Sequence, residues 1–326
     1  MKILVTGGAG YIGSHVVLEA LQQGHSVTVF DDLSTGLQEN INKDTNFVQG
    51  STLSISDLSK LFESEVYDGV IHLAASKAVD DSMVNPSDYA TNNIIGGINL
   101  VNACSNFGIK IFIFSSSAAV YGAPRYIPID EKHILTPSNY YGYTKLAFEQ
   151  NLKWFSELKG MNYASLRYFN AAGYDIDKRV SGLERDPQNL IPIVMEAAVG
   201  IRPKINVYGD DYETQDGTGI RDYIHVSDLA KAHIDAINYV CDERKNLTLN
   251  LGTGVGYSVL DIIKKVRKVS GQNFEYQIVG RREGDPDIVI AKVDLAKELI
   301  NWEAQYSDLD TILNSTWEVY KIKYVV

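Results

Sequence analysis

Cysteine and long basic runs are scarce in this sequence, and each absence excludes a class of protein. Only 2 cysteines occur among 326 residues, and neither Cys104 nor Cys241 stands in a CxxC or CxxH spacing that could hold zinc. Lysine and arginine total 30 against 41 aspartates and glutamates, which gives a net charge of −11. Such a chain repels a phosphate backbone unless its basic residues gather on one face. We therefore expect no zinc, no nucleic-acid partner, and two buried thiols in a reducing cytosol.

Long apolar segments are missing as well. No stretch of roughly 18 uninterrupted apolar residues, the length needed to cross a bilayer, is present. The N-terminus enters directly with KILVT at 2–6, without the charged and apolar regions that precede a secretory cleavage site. Hydrophobic residues make up 45% and charged residues 22% of the chain, which excludes disorder. We expect a cytoplasmic protein that is neither secreted nor membrane-spanning.

Short apolar runs alternate with longer amphipathic stretches through the first half of the chain. Strands separated by helix-length segments need crossover connections, so this alternation predicts a mostly parallel sheet covered on both faces. That architecture is a doubly wound α/β fold. The predicted strands are 2–6, 26–30, 46–49, 69–73, 110–115 and 163–168, and the predicted helices are 12–23, 56–64, 87–107 and 140–158.

The regular alternation ends after about residue 175. At roughly 150 residues per domain, the length predicts about two domains. We expect a first domain over 1–175 and a smaller mixed α/β domain over 176–326. A later strand–helix–strand pattern over 222–240 and 246–251 could return to the first sheet, so the predicted boundary is discontinuous.

A glycine-rich turn joins the first predicted strand to the first helix. Gly8, Gly10 and Gly13 fit the GxGxxG spacing, which lets the backbone approach a pyrophosphate at a helix N-terminus. Asp31 ends the second strand, close to the roughly 20-residue offset of this fingerprint. An acid there accepts hydrogen bonds from a free ribose 2′-hydroxyl and repels a 2′-phosphate. The pattern therefore predicts NAD rather than NADP.

Three further features have ordinary structural interpretations. The second glycine run, 252–256, lacks the acidic partner and is predicted to be a strand–turn–helix connection capped by Ser258. The acidic residues of 210–216 are predicted to form a solvated turn. No metal site is predicted, because the histidines lack metal-ligand spacing: His15, His25, His72, His133, His225 and His233.

A serine, a tyrosine and a lysine follow the fifth strand. Tyr141 and Lys145 are four residues apart, so on a helix their side chains share one face. A neighbouring ammonium and the positive ring of NAD⁺ stabilise a phenolate, so we expect the pKa of Tyr141 to fall toward neutrality. Ser117, at the carboxyl end of a strand, could orient the hydroxyl from which Tyr141 takes a proton.

Together these motifs resemble the extended branch of the short-chain dehydrogenase/reductase family, and within it the epimerases of UDP-hexoses. The resemblance covers essentially the whole chain and implies a Rossmann-type NAD-binding domain and a UDP-sugar-binding domain. It rests on seven segments in order: 7–15 (GGAGYIGSH), 72–79 (HLAASKAV), 115–117 (SSS), 141–145 (YGYTK), 166–170 (LRYFN), 216–226 (DGTGIRDYIHV) and 281–285 (RREGD).

The resemblance implies inversion at C4 of a UDP-hexose through a 4-keto sugar, with transient hydride transfer to tightly bound NAD. Tyr141 would be the base, Lys145 would tune it, and Ser117 would contact the sugar hydroxyl. The implied cofactor-binding residues are Gly7, Gly10, Tyr11, Ile12, Gly13, Asp31, Asp32, Leu33, Ser34, Thr35, Gly36, Ser51, Thr52, Leu73, Ala74, Ala75, Lys77, Asn92, Ser115, Tyr141, Lys145, Tyr168 and Phe169. The implied substrate-binding residues are Lys77, Ser117, Tyr141, Phe169, Asn170, Asn189, Leu190, Asn206, Val207, Tyr208, Arg221, Tyr223, Arg282, Asp285 and Val289.

Three positions depart from the family pattern. Ser51 replaces an aspartate that contacts adenine, and Ala119 replaces a hydroxyl residue that contacts the sugar. Val289 stands where relatives carry either a tyrosine or a small residue, and it leaves more room than tyrosine. We therefore expect some activity on UDP-N-acetylhexosamines.

Two other functions are alternatives for a chain with these motifs. A nucleotide-sugar 4,6-dehydratase would share the oxidation step, but its relatives carry an Asp-Glu pair after the catalytic hydroxyl residue, where this chain has Ala118 and Ala119. A non-enzymatic NAD-binding scaffold would be expected to lose Tyr141, Lys145 or Ser117, and all three are present. In similar proteins the helices matching 87–107 and 140–158 form a homodimer, which we expect here.

Overall fold

A seven-stranded parallel sheet forms the centre of the molecule. The computed structural model describes residues 1–282 and 284–324. The strands are β1 (Lys2–Thr6), β2 (Ser26–Asp31), β3 (Asn46–Gln49), β4 (Gly69–His72), β5 (Ile111–Ser117), β6 (Asn162–Tyr168), β7 (Asn170–Ala172), β8 (Lys204–Tyr208), β9 (Ile220–His225), β10 (Leu247–Leu251), β11 (Gly256–Ser258), β12 (Glu275–Val279) and β13 (Ile288–Val289). The spatial order of the sheet is β10-β6-β5-β4-β1-β2-β3, and each neighbouring pair is parallel. The predicted doubly wound α/β class is confirmed.

The helices lie on both faces of this sheet and in a second core beside it. They are α1 (Tyr11–Gln22), α2 (Ile55–Ser64), α3 (Val79–Val84), α4 (Pro86–Tyr89), α5 (Gly96–Asn106), α6 (Tyr140–Lys159), α7 (Leu190–Ala198), α8 (Val226–Glu243), α9 (Val259–Ser270), α10 (Asp294–Ile300) and α11 (Leu309–Tyr324). The single helix predicted over 87–107 is α4, a π-helical segment Ala90–Ile95, and α5 in succession. None of the helices within the described ranges has the length and apolarity to cross a bilayer.

The sequences of the strands explain why helices cover both faces of the sheet. Ile3, Leu4 and Val5 of β1 are all completely buried, as a parallel strand between two helical layers requires. Ile3 and Val5 pack with α1 and α8 on one face, whereas Leu4 packs with α2, α5 and α6 on the other. The alternation of side chains along the strand thus divides the core into two layers.

A second apolar core lies beside the carboxyl edge of the sheet. It joins α7, α9 and α11 with β8, and includes Met195, Ile263 and Trp317. A four-stranded sheet in this part has the order β11-β9-β13, with β7 also pairing with β9. Of the strand–helix–strand unit predicted over 222–251, only β10 joins the seven-stranded sheet. Its first strand, β9, pairs instead with β7, β11 and β13. The apolar pattern along the chain does not tell which of the two sheets a strand joins.

Candidate active site

The glycine turn after β1 is shaped to admit a phosphate-bearing ligand. A Cβ on Gly13 would lie 2.0 Å from the carbonyl oxygen of Gly7, and a Cβ on Gly7 would lie 2.6 Å from the amide nitrogen of Ala74. Gly7 also has a φ of +76°, where a side chain would be strained. Helix α1 begins at Tyr11 without a side-chain cap, so its first N–H groups face the turn. The cradle therefore fits a pyrophosphate.

Gly8 lets the glycine turn pack closely against β2. A Cβ there would lie 2.8 Å from the side chain of Val29, so the missing side chain lets the turn pack on β2. The closest approach between this turn and the loop after β4 is made by Gly7, whose Cβ would meet Ala74. Gly10 keeps its predicted place, since its N–H donates to the Gly7 carbonyl at 3.1 Å.

Asp31 closes the adjacent side of the cradle. Its Oδ2 accepts the N–H of Ala9 at 3.0 Å, and its Oδ1 accepts the N–H of Leu33 at 2.9 Å. Burial raises the pKa of Asp31 above its ordinary value, while these backbone donors oppose the rise. The carboxylate is an acceptor fixed beside the glycine turn, as recognition of a ribose 2′-hydroxyl requires. Donor set and cradle together fit NAD.

The loop after β3 shows what accompanies Ser51. Its N–H donates to the Asp57 carboxylate at 3.3 Å, and its Oγ accepts the N–H of Leu53 at the same distance. Thr52 is buried beside Gly96. An aspartate is therefore present at this loop, although it comes from α2 rather than from position 51.

The loop after β4 is held by asparagines that follow α4. The predicted residue Asn92 donates to Ser76 Oγ at 3.0 Å. Its neighbour Asn93, which sequence reasoning did not single out, accepts the Ser76 N–H at 2.8 Å and donates to Thr144 Oγ1 at 3.0 Å. Asn93 thereby ties this loop to α6. The ammonium of Lys77 pairs with Glu184, a second residue that the motifs did not reveal.

Ser117, Tyr141 and Lys145 meet between the end of β5 and the start of α6. Asn139 caps α6 by accepting the Gly142 N–H at 2.8 Å, which places Tyr141 in the first turn. Tyr141 and Lys145 are almost completely buried. The Lys145 ammonium lies 5.7 Å from the Tyr141 ring centroid and donates to the Ser115 carbonyl at 2.9 Å. The predicted association of the three side chains is present.

The chain's own groups do not lower the pKa of Tyr141. Burial raises its pKa to about 12, and the Ser117 hydroxyl, hydrogen-bonding to the phenol, opposes this rise. Burial also lowers the pKa of Lys145 to about 7, which the Glu149 carboxylate opposes. The expected fall of the Tyr141 pKa toward neutrality is therefore not produced by the chain's own groups, because desolvation outweighs them.

A buried ionic network lies behind this trio. Arg167 of β6 donates to both oxygens of Glu149, at 2.9 Å to Oε1 and 2.6 Å to Oε2. Ser116 Oγ donates to the same Oε1 at 2.5 Å, and Arg167 Nη1 donates to the Tyr121 hydroxyl at 3.1 Å. No motif pointed to Glu149 or Arg167 as partners. The only sequence signal was the position of Glu149, one helical turn after Lys145.

Two arginines, whose guanidinium groups are forked hydrogen-bond donors, lie on the wall of the cleft opposite Tyr141 and Lys145. Arg221 of β9 donates to Asp285 Oδ1 at 2.5 Å, and the Tyr212 hydroxyl donates to Asp285 Oδ2 at 3.2 Å. The Arg282 guanidinium stacks 4.1 Å from the Tyr208 ring centroid and pairs with Asp80 of α3. The predicted residues Arg221, Asp285, Arg282 and Tyr208 are thus on this wall, whereas Glu283 of the same motif lies outside the described residues.

Val289 connects this wall to the reacting end of the cleft. It is paired in register with Arg221 across β13 and β9. It packs, partly buried, against a cluster that contains Phe169 and Ala118. Asn170 is paired with Tyr223 in the adjoining ladder and donates to the Asp222 carbonyl at 2.9 Å. The position predicted to set the sugar pocket therefore adjoins both Arg221 and the apolar cluster that follows Ser117.

Several predicted substrate residues lie on the second core. The Val207 side chain is buried in that core, so its backbone remains to contact a ligand, whereas Leu190 packs against the core and is partly exposed. Asn206 accepts from Gln277 at 2.8 Å, and Asn189 precedes α7 beside a small cleft that Tyr11 and Glu184 also line. The predicted cofactor residues lie at the carboxyl ends of parallel strands: Gly7 to Gly13 after β1, Asp31 to Gly36 after β2, Ser51 and Thr52 after β3, Leu73 to Lys77 after β4, Ser115 in β5, and Tyr168 and Phe169 after β6.

The second glycine run is a turn after β10, as predicted, but the short strand β11 follows it before α9, which the predicted direct connection did not include. Ser258 caps α9 in a reciprocal arrangement with Asp261. The buried Asp222 carboxylate accepts the N–H groups of Thr253 at 2.9 Å and Gly254 at 3.0 Å, leaving no place for a phosphate. Within residues 1–282 and 284–324, no group of three or more histidine, cysteine or carboxylate side chains is arranged to hold a metal.

Comparison with known proteins gives consistent results. A sequence profile of the NAD dependent epimerase/dehydratase family matches residues 3–252. UDP-glucose 4-epimerase of Lacticaseibacillus casei is 41% identical over 317 residues, covering 97% of this chain and 96% of that one. The crystal structure of UDP-glucose 4-epimerase from Brucella ovis in complex with NAD superposes with a TM-score of 0.95 at 41% identity, covering 98% of both chains. The Bifidobacterium longum enzyme in complex with NAD+ and UDP gives 0.93 at 36% identity, covering 99% of this chain and 98% of that one.

Proposed function

Because the chain belongs to the NAD dependent epimerase/dehydratase family, we propose that it interconverts UDP-glucose and UDP-galactose by inverting the configuration at C4. The observation that carries the proposal is the buried group of Ser117, Tyr141 and Lys145 beside the glycine cradle. Relatives about 40% identical over nearly their whole length bear the name UDP-glucose 4-epimerase. The implied family resemblance is confirmed.

The reaction begins with proton transfer from the sugar. Tyr141 Oη takes the proton of the C4 hydroxyl, and Ser117 Oγ orients that hydroxyl. Bound at the glycine cradle and Asp31, NAD would supply the hydride acceptor and donor for C4, and its positive ring would favour the phenolate. Lys145, held by the Ser115 carbonyl, adds its ammonium charge to the same phenol. Tyr141 returns the proton when the inverted alcohol forms, so the cycle has no net redox change.

Inversion requires tight binding at one end of the substrate and freedom at the other. We assign the pyrophosphate and uridine ends to the forked donors of Arg221 and Arg282, with Asp285 accepting from the ribose hydroxyls. The 4-keto sugar turns about its diphosphate link to present its other face. The wall at that end is apolar, formed by Phe169 and Val289, so these two side chains add no polar contact that would hinder the turning ring.

The dehydratase alternative is not favoured. Elimination of water needs an acid and a base near C5 and C6, and the residues after Ser117 are Ala118 and Ala119 in a 3₁₀ turn. Neither side chain can transfer a proton. The site supports the oxidation step and its reversal only.

The test is turnover of UDP-galactose by purified protein without added NAD. We expect conversion to a mixture with UDP-glucose, because the cofactor remains bound through each cycle. The cofactor content of the preparation is measured in parallel by acid extraction. An unchanged UDP-galactose pool in NAD-loaded protein would contradict the proposal, and a 4-keto-6-deoxy product would establish the dehydratase instead.

We propose that the pocket also accepts UDP-N-acetylhexosamines, because Val289, which packs in the cluster that contains Phe169, is smaller than tyrosine. Replacing Val289 by tyrosine is expected to lower turnover of UDP-N-acetylgalactosamine by about tenfold or more while leaving UDP-galactose turnover nearly unchanged. Val289→Ala serves as the matched control and should keep both activities. Equal losses on both sugars in Val289→Tyr would show that the position does not select between them.

We propose a homodimer formed through α6 and the segment before α5. Trp154 is 60% and Leu158 is 71% exposed on α6, and Ile95 is exposed on the neighbouring π-helical segment. Such exposed apolar side chains on adjacent helices favour an interface. Light scattering should give twice 36.2 kDa, and Trp154→Glu should halve that mass.

The remaining proposals concern organisation and compartment. We propose that residues 1–175, with returns near 222–251, form the NAD-binding domain and that 176–326 form the UDP-sugar domain. Two separate apolar cores support a division into two domains, although Ala296 and Trp302 of the second range pack in the first core and Ala172 and Tyr174 of the first range pack in the second. Differential hydrogen exchange on binding NAD or UDP alone would test the boundary. We place the protein in the cytoplasm, supported by two free cysteines, and cell fractionation would test this.

A further inference from the structure

The Glu149 carboxylate occupies a position from which it can act on two parts of the active site. On α6 it lies one turn after Lys145, and residues at this spacing are neighbours on a helix surface. Through Ser116 it also contacts β5, the strand that supplies the Ser115 carbonyl to Lys145 and carries Ser117. One carboxylate thus joins the two elements that hold the reacting side chains.

This carboxylate is fixed and fully partnered. Two parallel hydrogen bonds from Arg167 fix its plane, and the third comes from Ser116. Arg167 is anchored in turn by the Tyr121 hydroxyl, which donates to Asn250 Oδ1 at 2.6 Å. Glu149 and Arg167 are both nearly completely buried, so solvent does not screen the charge of the pair.

We propose that Glu149 is a positioning residue for the epimerisation: it keeps the buried Lys145 ammonium charged and fixes Ser116, so that Lys145 and Ser117 face Tyr141 in one geometry. This inference rests on the proposed function. Glu149 itself touches neither substrate nor cofactor.

The groups packed around Lys145 show which neighbouring charge stabilises its protonated form. From its own helix, Tyr141 and Glu149 face it, and from β5 the Phe114 ring and Ser115 carbonyl do. From β4, His72 is held neutral by burial, which lowers its pKa to about 3. From β6, burial raises the pKa of Tyr168, so this phenol is also neutral. Arg167 faces Glu149 rather than Lys145, which leaves Glu149 as the stabilising anion.

The test compares pH profiles of kcat for the wild type and Glu149→Gln. Loss of the carboxylate should move the high-pH limb, where Lys145 loses its proton, down by about one unit, so that kcat at pH 8 falls about tenfold. At pH 6 the loss should be small, and KM for UDP-galactose should stay within about twofold. Glu157→Gln, an exposed carboxylate on the same helix, is the matched control and should leave the profile unchanged.

Two further variants distinguish charge from shape. Glu149→Asp keeps the anion, so its limb should remain at the wild-type pH even where kcat falls. Glu149→Asp also tests the proposal if Glu149→Gln does not fold. If the high-pH limb of Glu149→Asp moves by a full pH unit although the carboxylate charge is retained, the proposal is overturned. In a Lys145→Arg background, whose guanidinium stays charged, Glu149→Gln should no longer displace the limb. An unshifted limb in active Glu149→Gln also overturns the inference, whereas an inactive wild type would instead contradict the proposed function.

Discussion

Replacing Tyr141 by phenylalanine is expected to lower kcat on UDP-galactose about 10³-fold. The change removes only Oη, the atom assigned to take the C4 proton, and the ring that packs beside Lys145 remains. Binding of UDP should be retained, because Arg221 and Asp285 are on the other wall of the cleft. The measurement is the initial rate of UDP-glucose formation, with UDP affinity determined separately by calorimetry.

Tyr239→Phe is a suitable comparison for this variant. It removes the same hydroxyl from a partly exposed position in α8, remote from the cleft, and should leave kcat unchanged. Retention of more than a tenth of wild-type activity in Tyr141→Phe would remove the phenol from the mechanism. Unchanged biological activity of that variant would favour the NAD-binding scaffold instead.

Replacing Gly13 by alanine should abolish the tight retention of NAD. The new Cβ would lie 2.0 Å from the Gly7 carbonyl oxygen and 2.8 Å from Gly8 Cα. Both atoms belong to the backbone of the cradle, so no side chain can move aside and the turn itself must shift. We expect NAD affinity to fall about 100-fold, or about 2.7 kcal/mol. Acid extraction of the purified variant should release little nucleotide.

The comparison for Gly13→Ala is Gly24→Ala. Gly24 has a φ of +78°, so alanine there is strained, but no atom lies within 4 Å of its Cβ position. We expect it to lose about 1 kcal/mol of stability and to retain NAD. Thermal unfolding with added NAD distinguishes the two effects. Full cofactor content in Gly13→Ala would mean that the cradle does not hold the pyrophosphate.

Local features of the site could be predicted because short stretches of chain encode them. The turn from β1 into α1 needs glycine at Gly13, where a Cβ would meet the Gly7 carbonyl oxygen, and at Gly7, whose φ is positive. Tyr141 and Lys145 share a helix face because of their spacing. Ser117 lies at the carboxyl end of its strand because a parallel sheet brings such ends together.

Partners distant along the chain could not be predicted. The pair of Glu149 and Arg167 joins α6 to β6, and the pair of Arg221 and Asp285 joins residues 64 positions apart. The placement of β9 in the smaller sheet is of the same kind, since its apolar pattern suits either sheet. Spacing along the chain carries no information about which elements meet.

The sequence by itself determined the parallel α/β architecture, the glycine cradle and the shared helix face of Tyr141 and Lys145, because periodicity and backbone sterics are local. Only the tertiary structure decided the ionisation of those side chains. Burial raises the pKa of Tyr141 to about 12 and lowers that of Lys145 to about 7, since desolvation depends on every element packed around a group.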